Sequence, residues 1–216
     1  MQLHEQVRPS VWADVVGQDE IIAQIMAIKS RSGIAGRAWW IQGKSGTGKT
    51  TIAKLIAAEI ADLFFTQELD AETLTVSDLA RIDGEMRLYG CGAGGKNGRA
   101  FIINEAHGLR KPVIRKLLTM LEPLPSHVVF IFTTTTDGLT MFEDCQIDAA
   151  PLLSRCEVLA LNQRNLAKPF AERAQKIARQ FGLDGQPIEK YVRLVNDKGA
   201  NLRAVLQAIE AGKMKV

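Results

Sequence analysis

The sequence predicts an α/β fold, a parallel sheet sandwiched by helices, with a small all-helical domain behind it. Three observations carry this. Short apolar runs alternate with amphipathic helical patterns across residues 39–132. A glycine-rich loop, Gly43-Lys44-Ser45-Gly46-Thr47-Gly48-Lys49-Thr50, joins the first apolar run to a helix. After Cys156 the pattern becomes helical only. The expected domains are a core over residues 1–157 and a helical lid over residues 158–216.

Trp39-Trp40-Ile41-Gln42 reads as a buried strand that ends at glycine. Beyond the loop, Ile52, Leu55, Ile56 and Ile60 share one helical face, with Lys54 and Glu59 off it. Residues 100–103 and 128–132 read as further buried strands, the second rich in β-branched and aromatic residues. Between them, Val113, Leu117, Leu118 and Leu121 fall at helical spacing behind Pro112, a residue suited to a first helical turn. Strands alternating with helices imply a parallel sheet. Residues 165–181, closed by Gly182, and then 188–196 and 202–211 read as the three lid helices. No strand signal is read there.

Composition sets the class. A chain of 216 residues with 46% hydrophobic and 24% charged residues suits one soluble core plus a small appended domain. A formal charge of +3 permits nucleic-acid binding without announcing it. Cys91, Cys145 and Cys156 form no Cys-x-x-Cys pair and read as small hydrophobes or inert thiols of a reducing compartment. No signal pattern and no membrane-length apolar run is present, so a cytoplasmic protein with no membrane partner is expected. Residues 90–98 formally match a dinucleotide fingerprint. They lead into a strand instead of following one, and are expected to form a mobile surface loop.

The loop at residues 43–50 is the strongest chemical signal. Glycines let backbone amides curl round phosphate oxygens, and the following helix adds its positive end. Lys49 supplies a cation for the β- and γ-phosphates, and the Thr50 hydroxyl is placed for Mg²⁺. ATP with Mg²⁺ is the expected ligand, and the fold is of the P-loop nucleotidase type. Next comes Asn104-Glu105. In many nucleotidases such a strand ends in Asp-Glu, where Asp assists Mg²⁺ and Glu polarises the attacking water. Here Glu105 is present and Asn104 offers only a neutral oxygen, so binding should survive and hydrolysis should slow. The alternative for Glu105 is a plain solvated carboxylate. The threonines at 133–136, before Asp137, sit where a strand end faces phosphates, and equally are ordinary strand sequence. Arg155 and Arg203 read either as surface residues or as phosphate contacts, Arg155 as a finger offered to a neighbouring subunit and Arg203 from the last helix. His4, His107 and His127 have no ligand spacing and are read as structural or surface residues. Lys111, Arg115 and Lys116 form a basic row that either tracks phosphates or is a solvated face.

With these residues in place, the chain resembles the clamp-loader branch of the AAA+ ATPases, which takes in the bacterial polymerase III gamma/tau and replication factor C small subunits. Arg8-Pro9-Ser10-Val11-Trp12-Ala13-Asp14-Val15-Val16-Gly17-Gln18 looks like its N-terminal motif, and Glu68-Leu69-Asp70-Ala71 like its second-strand motif. Glu105-Ala106-His107 continues like its Walker B segment, and Thr135 falls at the sensor 1 position. Ser154-Arg155-Cys156 matches its Ser-Arg-Cys motif, and Asn201-Leu202-Arg203 is similar to its sensor 2 helix.

The resemblance implies an AAA+ core and lid. Val15 and Val16 lie near adenine, residues 43–51 including Thr51 lie on the phosphates, and Thr135 and Arg203 lie near the γ-phosphate. Glu105 and Lys49 act in catalysis, and Arg155 acts in trans. It also implies a homo- or hetero-oligomer that engages DNA and a sliding clamp or other replication protein. Asn104 departs from the pattern, the cysteines of the bacterial zinc module are missing, and the chain stops after the lid without the collar domain. The alternative is an ATP-binding scaffold or adaptor with little hydrolysis, loading or regulating another DNA machine.

Overall fold

A computed structural model describes residues 2–135 and 150–215; Thr136, Asp137 and Cys145 lie outside the described residues. Five parallel strands form one sheet in the order β2-β3-β4-β1-β5. They are β1 (Arg37–Gln42), β2 (Thr66–Asp70), β3 (Arg99–Asn104), β4 (Val128–Thr134) and β5 (Cys156–Ala160). The inner strands β1, β3 and β4 are buried almost throughout, as apolar runs covered on both faces must be.

Alternation along each strand assigns the two faces. Trp39, Ile41, Ile102 and Ile131 pack with Ile25, Ile52 and Ile56, which places α2 (Asp19–Ser32) and α3 (Lys49–Ala58) on one side. Trp40, Phe101, Phe130 and Phe132 pack with Leu79, Ile82, Val113 and Leu117, which places α4 (Val76–Glu85) and α5 (Lys111–Leu121) on the other. Leu152 of the short α6 (Ala150–Leu153) joins this second cluster.

Two strands correct the sequence reading. β5 follows Cys156, where no strand was expected, and β2 was signalled only by the family resemblance. Both are edge strands. Only Leu159 is buried in β5 and no residue of β2 is, so neither shows the apolar run that betrays an inner strand. Helices α2 and α4 were also missed. For α4 a signal existed: Thr75 and Asp78 form a reciprocal capping box.

The three lid helices are α7 (Ala167–Gln180), α8 (Ile188–Asp197) and α9 (Leu202–Glu210), within two residues of the sequence reading at each end. Gly182, at φ +64°, takes the left-handed turn that ends α7, and Leu183 N–H bonds back to the Ala178 carbonyl at 2.8 Å. Phe170, Ile177, Tyr191, Val195, Val205 and Ile209 form a separate core. Leu3 of α1 (Leu3–Gln6) belongs to it, with Val7 and Val16 packed against it, so the N-terminal segment straps the lid. Leu3 N–H also bonds to Glu210 Oε1 at 3.1 Å.

Residues 90–98 form a loop leading into β3, tied by Gly90 N–H to the Asn97 carbonyl at 2.7 Å. The Cys156 thiol donates to the Leu152 carbonyl at 3.2 Å. Burial, and then the charge of Glu157, pushes this thiol up to about 12, which suits a small hydrophobe and not a nucleophile.

Candidate functional site

The carboxyl ends of β1 and β3 face one cavity, partly open to solvent, between the sheet, the N-terminal segment and the lid. Such a crevice is where open parallel sheets take ligands. Ser45 to Thr51, Val15, Val16, Glu105 and Arg203 all line it. The N-terminus of α3 therefore opens into the cavity. Among the described residues no side chain caps that helix, and its first backbone bond is Ile52 N–H to the Gly48 carbonyl at 2.9 Å. The amides before Ile52 are the ones a helix start leaves for an anion.

Lys49 is 8% exposed, and its Nζ donates to the carbonyls of Gly43 at 2.8 Å and Lys44 at 3.2 Å. Gly43 and Lys44, expected at the phosphates, do not line the cavity; their carbonyls hold Lys49. Burial lowers the Lys49 pKa, Glu105 opposes this, and Arg203 adds to it. A buried cation held below its ordinary value is stabilised by any polyanion that reaches it.

Glu105 sits in the left-handed region at φ 51° and ψ 50°, a rarely populated conformation that clusters at functional sites. Its carboxylate is half-exposed and lies 3.5 Å from His107 Nδ1, which lies 3.4 Å from Thr134 Oγ1. His107, read from the sequence as a structural or surface residue, thus stands next to Glu105.

Asn104 is not in the cavity lining. Its Nδ2 donates to Glu68 Oε1 at 3.0 Å, and its Oδ1 accepts from the Thr133 hydroxyl at 3.0 Å. Thr135, one residue past β4, does not line the cavity either. The Thr133 hydroxyl meets Asn104, and that of Thr134 lies 3.4 Å from His107 Nδ1.

Arg155 stands away from the cavity of its own chain. It donates to the Pro151 carbonyl at 2.8 Å and pairs with Glu122. Arg203, at the start of α9, is exposed and lines the cavity.

The family resemblance set Val15 and Val16 near adenine, and the residues that complete the apolar end of the cavity were not foreseen. His4, Val7 and Pro9 reach it from the N-terminal segment, and Phe170, Ile177 and Leu206 from the lid. Their spacing was legible only as ordinary core pattern, because the helix face that packs the lid also walls the cavity. Arg173 ties the two sides, 3.6 Å from Asp14 and 3.5 Å from the Val7 carbonyl.

The lid touches the phosphate loop directly. Leu202 N–H donates to the Gly46 carbonyl at 3.2 Å. At Gly46, φ is +75°, and a Cβ there would stand 1.9 Å from Asn201 Oδ1, so only glycine fits. Gln18, 1% exposed, bridges the same units. Its Nε2 reaches the carbonyls of Thr47 at 3.4 Å and Asn162 at 3.1 Å, and its Oε1 accepts from Asn162 N–H at 2.8 Å.

Residues 40–162 match the family model described as the ATPase family associated with various cellular activities. Among curated relatives, the chain is 30% identical over 187 residues to DNA polymerase III subunit gamma of Buchnera aphidicola subsp. Baizongia pistaciae, covering 74% of this chain and 46% of that one. It is 28% identical over 167 residues to DNA polymerase III subunit gamma/tau of Mycoplasma pneumoniae, covering 67% and 24%. The chain thus spans about a quarter to a half of the length of these relatives. Among solved structures, the RuvB Holliday junction branch migration motor of Thermotoga maritima superposes with a TM-score of 0.71 at 21% identity, over 94% of this chain and 64% of that one. A DNA polymerase III gamma subunit-related protein from the same organism gives 0.52 at 12% identity, over 80% and 57%. At these identities the structural likeness shows the fold alone. No helix among the described residues is long and apolar enough to cross a membrane.

Proposed function

The chain belongs to the AAA family of ATPases, and from that premise we propose that it binds ATP with Mg²⁺ in the cavity and acts as a clamp-loader-like subunit of DNA replication or repair. The observation that carries this is the convergence of the α3 N-terminus, Lys49, Glu105 and Arg203 on one cavity with an apolar far end. In this reading Lys49 and the loop amides hold the β- and γ-phosphates, and Arg203 reaches the γ-phosphate from the lid. Val15, Val16, Phe170 and Ile177 pack the base. Glu105 orients the attacking water, with His107 and Thr134 behind it. The donor set fits Mg²⁺, which takes one or two protein oxygens beside phosphates and water: the Thr50 hydroxyl and the Glu105 carboxylate line the same cavity. The ion, when bound, supplies positive charge to the transferring phosphoryl group.

In this reading the lid is the moving part, strapped by α1, and it begins after β5 and not at residue 158, which lies inside that strand. Arg155, turned away from its own cavity, acts on the nucleotide of a neighbouring subunit in an oligomer that engages DNA or a sliding clamp. The site belongs in the cytoplasm, where ATP is. Steady-state ATP hydrolysis with and without primed DNA and a clamp tests this, with stimulation as the expected result. Failure of the pure chain to bind any Mg²⁺-triphosphate in calorimetry overturns it.

A second reading, an ATP-binding scaffold or adaptor with little turnover, is favoured by one observation. The Asn104 oxygen is committed to Thr133 and not offered to the cavity. It expects tight ATP binding with turnover unchanged by Glu105→Gln.

A further inference from the structure

Arg173 is a cation set among apolar residues of the lid wall. Phe170, Arg173 and Ile177 all line the cavity, and their spacing puts them on one face of α7. Phe170 and Ile177 are each 2% exposed, and only 15% of the Arg173 side chain is exposed. A cation withdrawn this far from water needs strong partners. Its ties are long instead. Among the described residues, Arg173 Nη1 lies 3.6 Å from Asp14 Oδ1, and Nη2 lies 3.5 Å from the Val7 carbonyl. A good charge-assisted bond is about 2.7–2.9 Å. Asp14 is 44% exposed, so water competes for its carboxylate. A guanidinium carries five N–H donors, and most of these are unspent. None of the Arg173 nitrogens is sealed from solvent without a partner, so the spare donors are open on a side chain that lines the cavity.

We propose that Arg173 contacts the base of the bound nucleotide, its guanidinium leaving the loose tie to Asp14 to donate to a ring nitrogen of adenine. This deepens the nucleotide-site reading and rests on it. The phosphate end of the cavity already holds Lys49 and Arg203, which stand close enough for the charge of Arg203 to act on Lys49. Arg173 stands instead between Phe170 and Ile177, the two lid residues that pack the base in that reading. A base lodged among apolar walls loses the water that met its ring nitrogens. Left unpaired, each such acceptor costs binding energy. A guanidinium suits the task, because it is more weakly hydrated than an ammonium and gives up less on leaving water. The contact lets the chain tell a nucleoside triphosphate from a bare polyphosphate. Lys49 and the loop amides, which meet phosphate oxygens alone, have no means of doing so.

Calorimetry on the full chain tests this in the parent, Arg173→Met and Asp14→Asn. The probes are ATP, tripolyphosphate and the 1-, 3- and 7-deaza analogues of ATP, each with Mg²⁺. The parent should lose about 10-fold in affinity with one analogue, the one that lacks the accepting nitrogen. Arg173→Met should weaken ATP about 10-fold, lose nothing more with that analogue, and hold tripolyphosphate as the parent does. Asp14→Asn, which frees the guanidinium, should bind ATP at least as tightly as the parent. A parent indifferent to all three analogues overturns the contact, whatever the variants do. So does an R173M that binds ATP as the parent does, or that loses ATP and tripolyphosphate equally. If D14N weakens ATP as much as R173M, Arg173 is only a clasp on the N-terminal segment and the contact is overturned. A parent that binds neither ATP nor tripolyphosphate removes the nucleotide reading itself. A parent that binds both equally keeps the anion site and removes the base contact, so the two fail separately.

Discussion

The core and the lid differ in charge, in what they give the site and in how they were read. Residues 1–160, through β5, carry sixteen Lys and Arg against nineteen Asp and Glu, whereas residues 161–216 carry eleven against five. The modest overall charge of +3 therefore conceals an acidic core and a basic lid. The core brings Lys49, the α3 N-terminus and Glu105 to the cavity. The lid brings apolar walls and Arg203. The difference teaches that one cavity at the junction of two units can take its buried cation and helix start from one and most of its apolar wall from the other.

Four expectations break or sharpen this division, in falling order of effect. Lys49→Met should weaken Mg²⁺-ATP binding roughly 100-fold or more, since charge-assisted bonds to phosphate are lost. The same variant should melt no lower than the parent, because the buried ammonium opposes folding. With the folded pKa below 10.5, that penalty is full at neutral pH and is relieved as pH rises towards 10.5. A lower melting temperature in differential scanning calorimetry would contradict this.

Arg203→Ala should weaken ATP about 10-fold while leaving ADP nearly unchanged in a fluorescent-nucleotide displacement assay. Equal losses for both would place this residue away from the γ-phosphate.

On DNA, the comparison separates two basic surfaces. Lys168 and Lys176 are exposed on α7, and among the described residues no ion pair occupies them. On α5, Lys116 is tied to Asp83 at 3.2 Å, leaving Lys111 and Arg115. Replacing Lys168 and Lys176 together by Ala should flatten the slope of log affinity against log salt by up to about 1.8, and replacing Lys111 and Arg115 should flatten it less. The reverse ranking, measured by anisotropy on a short duplex, would return the contact to the core.

The smallest effect concerns the acid limb. Glu59 would be raised by burial, but Lys29 at 2.7 Å and the Trp12 indole at 2.6 Å, with the charge of Lys96, lower it. A depressed carboxyl stabilises the fold above the unfolded value of 4.5 and loses this as pH falls through its folded value. Glu59→Gln should remove less than about 1 kcal/mol at pH 7 and flatten the melting profile below pH 4.5.

Inner strands, helices with a clean apolar face and the phosphate loop were legible, because each is written in consecutive residues. Edge strands were not, since β2 and β5 bury too little to show a run. Glu105, Arg155 and Arg203 were legible as residue types in family-like motifs. What no local pattern gave was partnership. That Asn104 answers Glu68, that His107 stands behind Glu105, and that Phe170 walls the cavity all depend on residues brought together by the parallel crossover or by lid docking.

The backbone bond from Leu202 to Gly46 has a mechanical meaning. The glycine-rich turn and the helix that lines the cavity from the lid share an atom pair, so any outward displacement of α9 would remove one restraint from that turn. Under the proposed function, release of nucleotide and slackening of the turn would be a single movement, and a bulkier residue at position 46 would push Asn201, and with it the start of α9, off the turn.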